Sequence, residues 1–173
     1  TEPLNDQAMN VYIPVAKKES NVFFNNENGR LNNVSKQSGA DLLGNSRSAV
    51  YLDMDNDGDL DLVLNNYHEK AVVYRNNSEK NSHHWLKVKL IGAPKHGVNL
   101  DAIGAQIIVS SIDEQTRWRE VQGSTGYMSV HPKVQHFGLG QFNKAQIQVR
   151  WPNGHRTVRN VTANQTVVVT YGD

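Results

Sequence analysis

Residues 53–61 read Asp53-Met54-Asp55-Asn56-Asp57-Gly58-Asp59-Leu60-Asp61 and place five acidic side chains on alternate positions. An extended strand would carry all five carboxylates on one face, where like charges about 6–7 Å apart repel one another. A divalent cation removes that repulsion. In a calcium loop, carboxylates at positions 1, 3 and 5 surround the ion, glycine at position 6 permits a sharp turn, and position 7 offers its main-chain carbonyl.

The spacing of this segment, which we call the Asp loop, fits that pattern with Gly58 at position 6. The residue at position 12 is Leu64 instead of the glutamate of an EF-hand. The predicted Ca²⁺ ligands are Asp53, Asp55, Asp57, Asp59 through its carbonyl, and Asp61. The alternative is a solvated acidic turn, which has no need for strict alternation or for glycine at position 6. Magnesium is disfavoured because it prefers compact octahedral sites with few protein ligands.

The segments on either side of the loop favour β-structure. Short apolar runs at 48–52 and 60–64 precede and follow the turn of the loop. Asparagine is unusually frequent, with sixteen of its twenty copies in the first hundred residues, and it favours tight turns over helix interiors. Asn28-Gly29 is a strong hairpin signal. The first half is therefore predicted to contain short strands joined by turns.

The second half has a clearer period of two. In the run 85–90, Leu86, Val88 and Leu90 alternate with lysines, which predicts a half-buried strand with the lysines on the solvent face. Further strands are predicted at 105–112, 117–122, 134–139, 145–151 and 166–171. Many short strands separated by glycine turns indicate a β-sandwich or a barrel-like domain.

Composition and charge narrow the classes of function. The chain has no cysteine, which excludes disulfides, zinc–thiolate sites and cysteine nucleophiles. Residues 1–81 carry a net charge of −4 and residues 82–173 a net charge of +5, which predicts two modules. No apolar run is long enough for a membrane span, and no basic run or motif predicts nucleic-acid binding. We expect a lead segment at 1–20, a calcium-loop module at 21–81 and a second β domain at 82–173.

A few other side chains are candidates for ligand binding. Trp118 and Tyr127 would form an exposed aromatic strip on a carbohydrate-binding domain, and the alternative is that such aromatics pack in the core or at a sheet edge. Five basic residues of the second half alternate along strands, which predicts a solvated face or a surface for an acidic polysaccharide. They are Arg117, Arg119, Arg150, Arg156 and Arg159. No motif predicts a nucleophile or an acid–base pair, and we expect no enzyme activity.

The motifs together resemble two known families. Residues 21–81 resemble one FG-GAP/VCBS-type repeat, the blade of integrin-like β-propellers, on the blocks VFFNNENGRLNNVSKQSGA, SRSAVYLDMDNDGDLDLVLNN and VVYRNN. Residues 83–171 resemble the ASPIC/UnbV domain on the blocks HHWLKVKLIG, DAIGAQIIV, REVQGSTGYMS, VQHFGLG and VRWPNG. This second family often has arginine where Leu100 stands, so any role of that arginine does not carry over.

The resemblance implies a fold and a role. It implies an all-β chain in which a propeller-blade-like repeat holds calcium in the Asp loop and precedes a sandwich or barrel-like domain. Such pairs occur in secreted bacterial proteins and in cartilage acidic protein, which implies an extracellular or periplasmic module for adhesion to a protein or glycan ligand. A single blade needs neighbours, so we expect a piece of a longer protein, completed by further blades or a neighbouring subunit. The alternatives are a carbohydrate-binding accessory domain of an enzyme and a structural subunit of an extracellular assembly, with an open sheet edge at 1–26.

Overall fold

The computed structural model describes residues 18–78, 82–111 and 116–173. The predicted lead segment at 1–20 and the predicted free edge at 1–26 therefore lie largely outside the described residues. Within these ranges the chain is all-β, with several sheets, none of which closes on itself. None of the described helices is long and apolar enough to cross a membrane.

The described chain divides into two compact units. One comprises the described residues up to Ser46 together with Asn66–Glu69, and the other comprises Arg47–Asn65 together with Lys70–Asp173. The Asp loop and all of the second-half strands thus belong to the same unit. The module boundary predicted between residues 81 and 82 falls inside this unit.

The first unit contains short antiparallel pairs. Strands β1 (Glu19–Ser20) and β4 (Leu43–Gly44) form one pair, and β2 (Phe24–Glu27) and β3 (Arg30–Asn33) form another. Asn28 and Gly29 join β2 to β3 with positive φ values of 53° and 87°, which confirms the predicted hairpin. Helix α1 (Ser35–Ser38) follows.

The second unit contains most of a three-stranded sheet in the order β5-β6-β7, a second three-stranded sheet and a four-stranded sheet. Strand β5 (Ser46–Leu52) leads into the Asp loop, and β6 (Asp61–Asn66) begins at its last aspartate. The remaining strands are β7 (Val72–Tyr74), β8 (His84–Ile91), β9 (Gln106–Ser111), β10 (Thr116–Glu120), β11 (Gln135–Gly140), β12 (Lys144–Arg150), β13 (Arg156–Thr162) and β14 (Gln165–Thr170). A 3-10 turn, Pro94–His96, lies between β8 and β9.

The four-stranded sheet and the second three-stranded sheet form a β-sandwich. One has the order β10-β9-β12-β13 and is antiparallel throughout, and the other has the order β11-β8-β14, with β14 parallel to β8. Apolar side chains from both sheets make one buried cluster. Its largest members are Trp151, Phe137, Leu86, Ile107, Leu139 and Ile147. Both sheets are open, which agrees with the sandwich prediction, and neither closes into the alternative barrel.

Strand β8 departs from the prediction on one face. Leu86, Val88 and Leu90 face the core as expected, but Lys87 is also buried and only Lys89 is exposed. The expectation that both lysines face solvent was wrong because the Asp loop covers the outer face of β8 at Lys87, where the Lys87 ammonium contacts Asp53.

Candidate metal centre

The Asp loop is a tight connection between β5 and β6. Its backbone turns at Asn56 and Gly58, whose φ values are 62° and 101°. Asparagine tolerates the left-handed region and glycine enters it without steric cost, so these two residues suit the turn. The loop thereby folds back on itself instead of extending its carboxylates along one strand face.

Three of the five predicted aspartates converge. Asp53, Asp55 and Asp61 each offer a carboxylate oxygen, and these oxygens lie within 4.8 Å of one another. Three carboxylates at that separation repel one another strongly unless a cation lies among them. They form the hard oxygen donor set that calcium prefers.

The carboxylate of Asp53 is buried and only partly satisfied. Its Oδ2 accepts a hydrogen bond from the Gly58 N–H at 3.0 Å and pairs with the Lys87 ammonium. Its Oδ1 is buried and has no hydrogen-bond partner among the described residues. A buried carboxylate oxygen without a partner is costly, and a bound cation would satisfy it. This oxygen is the observation that best fits the residues to a metal.

Asp61 closes the cluster from the start of β6. It is 1% exposed, and its two oxygens accept hydrogen bonds from the N–H groups of Met54 and Asn76, both at 2.9 Å. These bonds fix the orientation of the carboxylate, and each oxygen keeps a second lone pair for a cation. The position assigned to Asp61 by the loop spacing is therefore compatible with its place in the structure.

Asp57 and Asp59 lie outside this group of three. Asp57 Oδ1 accepts a hydrogen bond from the Asp59 N–H at 3.1 Å, which is the main reason that the pKa of Asp57 lies below its usual value. Asp59 Oδ2 accepts hydrogen bonds from the Ser78 N–H at 2.8 Å and the Ser78 hydroxyl at 3.1 Å. The carboxylate of Asp57 thus stabilises the turn of the loop, and the carboxylate of Asp59 ties the loop to Ser78.

Two basic residues offset part of the loop's charge, and sequence reasoning did not single out either one. Lys87 reaches Asp53 from β8, and Arg75 bridges Asp55 at 2.7 Å and Asp57 at 3.3 Å on the exposed side. The sequence features that could have pointed to them are a lysine within an apolar strand and an arginine at the end of the run VVYR. Neither pattern indicates its acidic partner, because the partners are distant in sequence.

The loop also packs on the sandwich through Gly58. A Cβ built on Gly58 would lie 1.8 Å from Nε1 of Trp85 on β8, so the main chain and the indole are in close contact. His136 on β11 has its Nε2 2.7 Å from the Gly58 carbonyl oxygen, which suits a neutral ring with its proton on Nε2. Burial lowers the pKa of His136, while this hydrogen bond acts in the opposite direction.

The predicted aromatic candidates lie in different elements. Trp118 is in the middle of β10 and is 61% exposed, and Tyr127 lies in the connection between β10 and β11 and is 66% exposed. Trp151, in contrast, is a core residue whose indole N–H donates to the Thr157 hydroxyl at 3.0 Å. Exposure leaves Trp118 and Tyr127 available to a ligand.

The five arginines do not share one face, contrary to expectation. Arg117, Arg119 and Arg159 pair with the core residues Val109, Ile107 and Ile147 and so lie at the margins of the core-facing side. Arg119 stacks its guanidinium 5.8 Å from the Phe137 ring, and Arg159 donates to the Val168 carbonyl at 3.1 Å. Arg150 and Arg156 pair with each other on the opposite, outward side.

Comparison with known families bears on the sandwich. Residues 95–173 match the family model described as ASPIC and UnbV. The ASPIC/UnbV match begins within the 3-10 turn and includes every strand from β9 to β14. The predicted resemblance is therefore confirmed over residues 95–173, and the block at 83–92 lies outside the matched residues.

The relatives extend the similarity beyond the ASPIC/UnbV region. Human cartilage acidic protein 1 is 31% identical over 125 residues, and the Xenopus tropicalis protein of the same name is 29% identical over 126 residues. Each match covers 70% of this chain but only 18% of the relative, so the chain spans less than a fifth of these proteins. Because each match covers 70% of the chain, a continuous match contains residues 55–61 whichever residue it starts from. Most of the Asp loop therefore lies within the matched residues.

Proposed function

We propose that this chain is a calcium-stabilised, non-catalytic interaction module. Its Asp loop would be the metal site of an FG-GAP/VCBS-type repeat that is joined to an ASPIC/UnbV domain. The observation that carries the proposal is the meeting of Asp53, Asp55 and Asp61 within 4.8 Å, with Asp53 Oδ1 buried and without a hydrogen-bond partner among the described residues.

The carboxylates of those three aspartates would hold the ion, and Asp57 and Asp59 would support them. Bound calcium would supply positive charge where the chain gathers acidic groups, so metal binding and folding would be coupled. Lys87 and Arg75 balance part of the charge without metal, which would help the loop to stay folded at low calcium.

The proposed setting is extracellular or periplasmic, where calcium is plentiful, and the proposed role is adhesion to a protein or glycan. The similarity to cartilage acidic protein 1 supports this setting because the name of that relative refers to cartilage, an extracellular tissue matrix. The short share of those relatives that the chain spans supports a role as part of a larger assembly, with further blades or a neighbouring subunit completing the propeller-like part.

Thermal unfolding with and without calcium tests the proposal. After chelation, calcium at about 100 times its Kd should stabilise the fold by about 2.7 kcal/mol. That amount corresponds to a rise in midpoint of roughly 5–10 °C for a chain of this size. Asp55→Asn, at the least buried of the three ligands, should lose most of that rise.

Asp101→Asn is the matched control, because Asp101 is an exposed acid that pairs with Lys133 away from the loop. It should keep the full calcium response. A native chain whose midpoint does not change with calcium would contradict the proposal.

A further inference from the structure

The sheet β10-β9-β12-β13 has an outward side that the core does not use. Along each strand, residues alternate between the buried cluster and this second side, which we call the outer face. The strand register places one row across the sheet with Trp118, Ile108, Gln148 and Val158 in that order. Gln146 and Asn160 lie in the row on one side, and Arg150 and Arg156 lie in the row on the other. These eight residues define the outer face.

Trp118 gives this face an apolar platform. It lies on the edge strand β10 and is 61% exposed. Its neighbours Arg117 and Arg119 turn to the other side, where Arg117 donates to the Ser111 hydroxyl at 3.4 Å. The indole therefore stands on the outer face without an adjacent basic side chain over it, and its flat surface suits the C–H face of a sugar ring.

Amide side chains lie two to three strands across the sheet from this platform, on β12 and β13. Gln146 Nε2 donates to Asn160 Oδ1 at 3.1 Å, which orients the two amides and leaves the Asn160 NH₂ group and the Gln146 carbonyl for other partners. Gln148 adds a third amide in the row of Trp118. Paired donors and acceptors on a flat surface match hydroxyl groups better than they match an apolar protein surface.

The arginine row carries an unusual like-charge contact. Arg150 on β12 and Arg156 on β13 are direct cross-strand partners, and both are exposed. Like charges in this position destabilise a sheet. Neither guanidinium makes an ion pair with a described residue, and Glu120 stands at the far end of the same row with Gln106 between it and Arg150. An anionic group between the two arginines would relieve their repulsion and bind through charge-assisted hydrogen bonds.

We propose that the outer face binds an acidic polysaccharide. A sugar ring packs on Trp118, the amides bond hydroxyls of the following sugar units, and Arg150 with Arg156 holds a carboxylate or sulfate. From Trp118 the arginine pair lies about 7 Å along the strands and two to three strands, about 10–14 Å, across the sheet. The inference rests on the interaction role proposed above and names its ligand class, but it does not depend on calcium in the Asp loop.

Isothermal titration with three hexasaccharides tests the proposal. Alginate offers carboxylates, heparin offers sulfates as well, and cellohexaose is neutral. The native chain should bind at least one acidic probe and bind cellohexaose at least tenfold more weakly. Binding of alginate would show that carboxylate groups are sufficient, and binding of heparin alone would show that sulfate groups are needed. Either result supports the proposal.

Three variants locate the site. Trp118→Ala and the double variant Arg150→Gln/Arg156→Gln should each weaken binding about tenfold or more, as loss of a central aromatic or arginine contact does. Leu100→Ala removes an equally exposed apolar side chain that is not part of the outer face and should leave affinity within about twofold of native. Thermal unfolding of each variant confirms that it is folded.

Absence of binding to both acidic probes would overturn the proposal, as would binding that Trp118→Ala leaves unchanged. The Asp55→Asn variant, which should lose most of the calcium response and keep its glycan affinity, separates this inference from the proposed calcium role. If calcium fails to stabilise the native chain while glycan binding persists, the metal site fails alone. If calcium stabilises the chain and no glycan binds, the outer-face inference fails alone.

Discussion

At the turn of the Asp loop, Gly58 has a φ of 101° and its Cα faces the indole of Trp85. Two separate constraints therefore act on one residue. The backbone needs a conformation that other residues adopt at a cost, and the contact with Trp85 leaves no space for a side chain. The DxDxDG pattern predicted glycine for the turn alone, and the packing against Trp85 was visible only in the structure.

Gly58→Ala should reduce the free energy of unfolding by about 2–4 kcal/mol, the sum of backbone strain and overpacking. The same substitution in a Trp85→Ala background should cost only about 1 kcal/mol, because the strain remains and the clash is gone. Urea unfolding of the four chains in this double-mutant cycle measures both costs. Equal costs in the two backgrounds would show that Trp85 does not constrain the loop.

At the scale of single elements, β8 carries two functions on its two faces. Leu86, Val88 and Leu90 anchor the sandwich core, while Lys87 on the other face neutralises Asp53 of the Asp loop. The side chains of this ion pair are 10% and 4% exposed. Removing one partner of such a pair leaves a buried charge without compensation.

Lys87→Met, which keeps an unbranched side chain, should lower the free energy of unfolding by about 3 kcal/mol in a calcium-free buffer. Calcium should raise the unfolding midpoint of this variant more than that of the native chain, because the ion takes over part of the lost positive charge. Lys89→Met, on the same face of the same strand but exposed, is the control and should change stability little. Equal stability of the two variants would show that the Lys87–Asp53 pair does not support the loop.

Sequence periodicity predicted most strands of the sandwich, since β8, β9 and β12 alternate apolar core residues with polar ones. It missed β13, whose core-facing positions are Thr157, Arg159 and Val161 and so lack an apolar stripe. Within the Asp loop, spacing alone could not separate the three aspartates that converge from Asp57 and Asp59. That division depends on hydrogen bonds with Ser78 and Arg75, which are distant in sequence.

For the whole molecule, the Asp loop and the sandwich lie in one compact unit, although the sequence predicted a boundary between them. Lys87, Trp85 and His136 all contact the loop from the sandwich sheet. Charge asymmetry between the halves predicted two modules, and the ion pair of Lys87 with Asp53 joins residues of both halves within one compact unit. A metal in the loop would stabilise the sandwich as well, because the two share these contacts.

Calcium titration of the chelated native chain by isothermal calorimetry tests the proposed metal site most directly. We expect one calcium ion to bind per chain. We further expect that Asp53→Asn and Asp61→Asn abolish binding, while Asp59→Asn, whose carboxylate bonds Ser78 outside the cluster of three, weakens it far less. A native chain that binds no calcium at millimolar concentration would contradict the proposal and leave the Asp loop as a turn held by Lys87 and Arg75.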